Sequence, residues 1–447
     1  MRFPRAWWLL PFAIVTFGAL QPLFAQEGGS NLDTGNTAWM LCSTALVLLM
    51  TPGLALFYGG MVRSKNLLGT IMHSMFAMGL ITVIWVVVGY SIAFGSTTFA
   101  GLFGSPSTHF LLKDVAYNDG EGYPEIVFMA FQMMFAIITP ALISGAFAER
   151  VKFRSYAIFI ALWSVIVYSP LAHWVWGGGL LAHNDAGSES WLQNFAGVGA
   201  LDFAGGTVVH ISSGISALVF CLLIGKRRGY PTQAMPPNCL VWTMLGAGIL
   251  WFGWFGFNGG SALASDGIAG LSFVNTHICA ATAALAWTII EKIHRGKASA
   301  LGFASGLVAG LVCITPAAGF VMPASSLAMG IIVAIVCYVL VTIVKFRLGY
   351  DDSLDVFGIH GVGGTVGAIL TGIFATEELS ATGIGGGRQQ VWAQIVATII
   401  TWVFAGVVTL ILVKVIDATV GIRVSDEDEE QGLDVSQHGE TAYNVST

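Results

Sequence analysis

Apolar runs of about 20 residues, long enough to carry a helix across roughly 30 Å of hydrocarbon, follow one another from one end of this chain to the other with only brief polar breaks. Little room is left for a soluble domain. Of the 447 residues, 55% are hydrophobic and only 10% are charged, against about a quarter charged in an ordinary soluble domain. The sequence therefore specifies an all-α membrane protein. Its formal net charge of −6 is small for this length, and no basic stripe interleaved with aromatics occurs, which argues against nucleic acid as a partner.

Lys/Arg clusters and Gly/Pro breaks divide the chain into eleven transmembrane spans, approximately 37–61, 67–94, 124–148, 155–176, 202–225, 239–258, 267–292, 299–315, 325–344, 356–376 and 391–416. Arg63 and Lys65, Arg150 to Arg154, Lys226 to Arg228, Lys292 to Lys297, and Lys345 with Arg347 fall on alternate connections. The positive-inside rule makes that side cytoplasmic, with the N-terminus outside and the C-terminus inside. Residues 1–25 have the layout of a cleaved signal peptide: Arg2 and Arg5, a short apolar core, and Ala25 before a polar segment. An uncleaved first helix is the rival, since Leu23 is large for its position. The expected organisation is signal peptide 1–25, transmembrane domain 26–421 and cytoplasmic tail 422–447, whose acidic run Asp426 to Glu430 reads as solvated. The six cysteines have no CxxC or metal-ligand spacing and read as small core residues.

The fifth span opens DFAGGTVVH from Asp202 and the tenth opens DVFGIHGVGG from Asp355. The two cross the bilayer in opposite directions, as a five-plus-five inverted repeat would require; a chance match of this length is the alternative. Each carries an ionisable group at membrane depth, His210 and His360, and such groups are functional candidates. A neutral core histidine bonded to a carbonyl is the plainer reading of either one. His210 lies eight residues inward from Asp202, about 12 Å along a helix. His73, His173 and His277 suit core or interface roles, and His294 a solvated loop.

Topology brings Phe131, Phe135, Trp176, Phe257 and Ser261 toward the outer surface, close to Asp202. Aromatics there commonly serve as interfacial anchors. Stacked ring faces also attract a cation by about 0.5–2 kcal/mol each, a hydroxyl can accept an N–H, and a nearby carboxylate adds field. Passage of a bare ion through an apolar lumen remains too costly for such contacts to offset. A cation that sheds a proton escapes this barrier, as ammonium can and potassium cannot, and two touching neutral imidazoles would offer it a donor and an acceptor. A metalloenzyme built on the two histidines would need further ligands, and no HExxH or Cys/His cluster supplies them.

FYGGMVRSKN from Phe57, AFQMMFAIITPALISGAFAER from Ala130, HWVWGGGLLA from His173, DFAGGTVVH, GWFGFNGGSA from Gly253, FVNT from Phe273, DVFGIHGVGG and GLDVSQHGETAY from Gly432 resemble the signature segments of the Amt/Mep/Rh ammonium transporters. The resemblance spans nearly the whole chain. It implies transport of ammonium or ammonia without a cofactor in a bacterial inner membrane. By position, Trp176, Phe135 and Ser261 match the outer recruitment site, Phe131 a neighbouring vestibule aromatic, Phe135 with Phe257 the phenyl gate, His210 and His360 the twin pore histidines, and Asp202 the buried acid supporting the outer site. The resemblance further implies a homotrimer and a PII-type signalling partner at the cytoplasmic face. An ammonium sensor signalling through its tail is the alternative function.

Overall fold

The computed structural model describes residues 31–184, 188–379 and 385–443; the expected signal peptide lies outside them. Ten helices in this part are long and apolar enough to cross a membrane, and a shorter apolar one, Ala300–Ile314, completes the set as the eighth of eleven spans. The others are Thr34–Met61, Ser64–Phe94, Glu125–Phe147, Phe153–Val175, Gly206–Ile224, Leu240–Ala262, Gly267–Arg295, Pro323–Leu348, Phe357–Phe374 and Arg388–Val420. All eleven expected spans are therefore present, most with ends a few residues away from those read in the sequence. His294 is an exception to its expected loop setting. It sits in the last turn of the seventh span, exposed but bonded through Nδ1 to the Tyr338 hydroxyl at 2.8 Å.

Packing follows the two halves. The first span packs on the second and third, as the sixth does on the seventh and eighth, and the first and sixth pack along each other. The fifth and tenth spans cross at the centre, where the side chain of any other residue at Gly214 would meet the backbone: a Cβ there would come 2.1 Å from the Gly361 nitrogen. The eleventh span lies against the fifth and tenth. Both crossing spans begin in wide π-helical turns, Gly206–Ile211 and Phe357–Val362, and each turn holds one of the membrane histidines. Such turns redirect side chains relative to a regular helix and recur at functional sites.

On the side rich in basic loops, a buried ionic network joins four connections. Glu149 accepts from the Arg63 backbone and guanidinium and from Arg227 Nη1 at 3.1 Å, while Arg227 also forks onto Asp351. Arg150 is fully buried and donates to the carbonyls of Gly225, Ala148, Ala146 and Asp351. The chain after the last span folds over these loops. Leu433 N–H donates to Asn66 Oδ1, and the Asp434 carboxylate accepts from the free N–H groups of Leu68 and Gly69 at the start of the second span. The acidic run departs from its expected solvated state at one residue. Glu429 is 1% exposed, bridged to Arg423 at 2.7 Å and bonded by the Arg228 N–H.

Candidate functional site

The third, fourth and sixth spans bring aromatic rings to one end of the central path. Phe135 and Phe257 lie with centroids 4.3 Å apart, and Trp176 meets the Phe135 edge at 6.1 Å. Phe131 packs on Phe135 at 4.9 Å and is fully buried behind it. A cavity of about 270 Å³ opens on the far side of Phe135, walled by Phe128, Gln132, Phe135, Trp176, Phe203 and Ser261 among others. Ser261 donates its hydroxyl hydrogen to the Phe257 carbonyl at 2.8 Å, which leaves its oxygen lone pairs available.

Asp202 supports this end by a route the sequence does not reveal. Its carboxylate accepts from the backbone N–H groups of Gly205, Gly206, Thr207 and Val208 at 2.6–3.2 Å, capping the fifth span. Gly205 makes the cap possible: its φ of +108° is unfavourable for other residues, and a Cβ would press on Val209 and Trp176. The Asp202 backbone carbonyl, rather than its carboxylate, reaches the aromatic site, accepting from Trp176 Nε1 at 2.9 Å.

Beyond the phenyl pair the path narrows to about 10 Å³, lined by Phe257, Ile138, Leu142, Val209, His210 and His360 among others. His210 stacks on Phe257 at 6.0 Å and on Trp254 at 5.4 Å, and the Trp254 N–H is held by Thr315 at 2.9 Å. The two imidazoles meet through Nδ1 and Nδ1 at 3.2 Å. That contact requires one ring to donate and the other to accept, so the accepting ring is neutral, and with both rings uncharged the two are opposite tautomers. One Nε2 then carries a hydrogen and the other a lone pair. His210 Nε2 has no protein partner. His360 also borders a second cavity of about 300 Å³ toward the opposite end, with Phe57, Tyr58, Asp355 and Phe346 in its wall.

The structure thus gathers Phe135, Trp176, Phe257, Ser261, His210 and His360 along one path, with Phe131 packed behind Phe135 rather than lining it and Asp202 as the support of the first part. Gln132, Phe203 and Trp254 were not singled out by the sequence. Trp254 could have been found from its place three residues before Phe257, on the same helix face; nothing local distinguishes Gln132. Among the described residues, no group of three or more His, Cys, Asp or Glu side chains is placed to hold a metal ion. His73, His173 and His277 lie off the path: His73 against Tyr156 at 4.3 Å, His173 bonded to the Ala93 carbonyl at 3.0 Å, and His277 stacked on Trp251 at 5.0 Å.

Two cavities separated by a narrow apolar throat, inside a bundle of spanning helices, define a multi-pass membrane transport protein. The ammonium transporter family model matches residues 38–443. An ammonium transporter of Aquifex aeolicus is 49% identical over 426 residues, covering 94% of this chain and 96% of that protein. The crystal structure of Saccharomyces cerevisiae Mep2 superposes with a TM-score of 0.82 at 35% identity, covering 93% of each chain. A protein described as a sensor Amt protein matches at a TM-score of 0.82 and 28% identity, over 90% of this chain and 98% of that one. The chain belongs to the ammonium transporter family, and is a transporter rather than an enzyme.

Proposed function

We propose that this protein recruits ammonium from outside and conducts it, as ammonia with or without a relayed proton, into the cytoplasm. The observation that carries this reading is the buried pair His210–His360, in contact at 3.2 Å directly beneath the Phe135–Phe257 pair. The 270 Å³ cavity is the outer site, where Trp176 and Phe135 supply aromatic ring surface to a cation and Ser261 an acceptor. A throat of about 10 Å³ has no room for a hydration shell, and an unsolvated charge there is heavily penalised. Ammonium passes by giving up its proton near Phe135 and Phe257; potassium has none to give. The Nε2 lone pair and the Nε2–H of the histidine pair then hold ammonia and supply a route for the proton.

Current across liposomes after an ammonium pulse and then a matched potassium pulse tests this. We expect current for ammonium alone, or, with no current, internal alkalinisation read by a trapped pH dye. His210→Ala with His360→Ala should abolish transport or its selectivity; an unaltered response would remove the histidines from the path. The inner-membrane location, the assembly of three copies, the cleaved leader 1–25, the domain 26–421, the cytoplasmic tail 422–447 and a PII-type partner at the tail face are parts of the same proposal. The sensor reading is favoured by the likeness to the sensor Amt protein; it predicts ammonium binding with neither current nor alkalinisation.

A further inference from the structure

One side chain in the outer cavity has no partner in the fold. Gln132 follows Phe131 and precedes Phe135 by three residues on the third span, so it borders the cavity beside the Phe135 ring and shares its wall with Trp176 and Ser261. It is only 8% exposed, its amide makes no hydrogen bond, and its oxygen is buried without a partner. A buried amide left unpaired is destabilising, so a group from outside the protein is needed to satisfy it. The neighbouring polar groups are committed otherwise. The Trp176 N–H is held by the Asp202 carbonyl, and the Ser261 hydrogen points to the Phe257 carbonyl.

What remains free in that wall is the acceptor capacity of the Ser261 lone pairs and the unbonded Gln132 amide, which can offer either its oxygen or its NH2 group. A half-turn of the amide exchanges its oxygen and nitrogen at the same two positions without altering packing. A ligand rich in N–H donors therefore selects the orientation with the oxygen toward it. A ring face attracts a small cation whatever the orientation of the cation's own bonds, whereas two acceptors fixed on different spans require at least two N–H bonds directed at them.

We propose that Gln132 is a substrate-binding and specificity-determining residue of the outer site, accepting one N–H of an ammonium-type cation while Ser261 accepts another. The inference rests on the reading of this cavity as the ammonium site. The ligand class is a cation bearing two or more N–H bonds, ammonium itself and monoalkylammonium ions.

The test measures initial transport against concentration, for ammonium and for methylammonium, with the original chain and with Gln132→Leu, Gln132→Met and Gln132→Glu. Leu and Met keep the approximate volume and remove the acceptor; Glu keeps the acceptor. A hydrogen bond to a charged group corresponds to about tenfold in affinity. Half-saturation should thus rise about tenfold with Leu and with Met, the maximal rate falling far less, while Glu stays at or below the original value. Having two apolar variants guards against one that fails to assemble. Equal half-saturation in all four proteins would overturn the proposal, and so would an equal rise in Leu, Met and Glu, which would mean a packing role. Absence of ammonium transport in the original chain would overturn the pore reading itself, a result separate from these.

Discussion

The arm of the fold that leads to His210 and the arm that leads to His360 use the same backbone device in opposite directions, and they differ in how completely it is satisfied. Each histidine sits in a π-helical opening turn, and each lies eight residues after a buried aspartate, Asp202 in one arm and Asp352 in the other. The sequence echo had paired Asp202 with Asp355. Asp355 instead bonds Lys345 at 2.5 Å beside the inner cavity, in a left-handed conformation with φ of 61°. Asp202 spends both carboxylate oxygens on four N–H groups. Asp352 accepts from Phe357 N–H through one oxygen at 2.8 Å, and its other oxygen is buried without a partner. One arm ends in a fully bonded cap that anchors an aromatic cavity; the other ends in a looser cap beside a cavity bordered by Asp355, which is paired with Lys345.

The largest expected effect is at the point shared by both arms. Gly214→Val forces a side chain against the Gly361 backbone, so the fifth and tenth spans cannot cross and the protein should fail to yield a stable, transporting species on size exclusion. Gly248→Ala, where a Cβ meets nothing within 4 Å, should be neutral or stabilising by up to about 1 kcal/mol. Next in size, Asp202→Ala leaves four buried N–H groups without their acceptor, at about 1–3 kcal/mol for each that no other group satisfies, and should lower the thermal midpoint and abolish transport. Asp352→Ala should lower the midpoint distinctly less. Equal losses in the two variants would break the comparison between the arms.

A third outcome concerns the ionic network under both arms. Burial pushes the Glu149 carboxyl up, but Arg227 and Arg63 outweigh it and hold it below its ordinary value; Asp351 is likewise lowered by Arg227 and Arg150 against burial. Both carboxyls bind protons more weakly folded than unfolded, so they stabilise fully above the unfolded value of about 4. The contribution is lost as pH falls below that through the lowered folded values. Thermal midpoints measured from pH 7 to pH 3 should fall steeply only below about pH 4, and Glu149→Gln should flatten part of that fall. The smallest effect is expected at Lys345→Met, which frees Asp355 at the inner cavity. It should alter maximal transport rate by a few-fold at most and leave half-saturation for external ammonium unchanged; a shift in half-saturation would place inner-arm groups in recognition.

Much of the architecture was legible along the chain. A span is a local property, because about 20 apolar residues in lipid have few alternatives to a helix, and so the fourth span, expected at 155–176, is found at Phe153–Val175. The aromatic and histidine positions were legible because polar or ring-bearing residues stand out in apolar surroundings. The short helix Trp191–Ala196 between the fourth and fifth spans went unread, although its Ser190–Gln193 capping box was a signal that could have found it. Gln132 went unread because one amide in an apolar helix says nothing of what it borders.

By itself the sequence determined the solvent, the number of spans, their alternation, and the residue types available at mid-membrane, since each follows from hydropathy and charge counted along a few turns. Only the tertiary structure decided that Asp202 acts through a cap and a carbonyl rather than as an exposed charge, that Asp352 is its counterpart, that Glu429 is buried, and that two imidazoles touch through Nδ1. Those facts depend on hydrogen-bond partners far apart in the chain, and a buried polar group is defined by the partner that satisfies it.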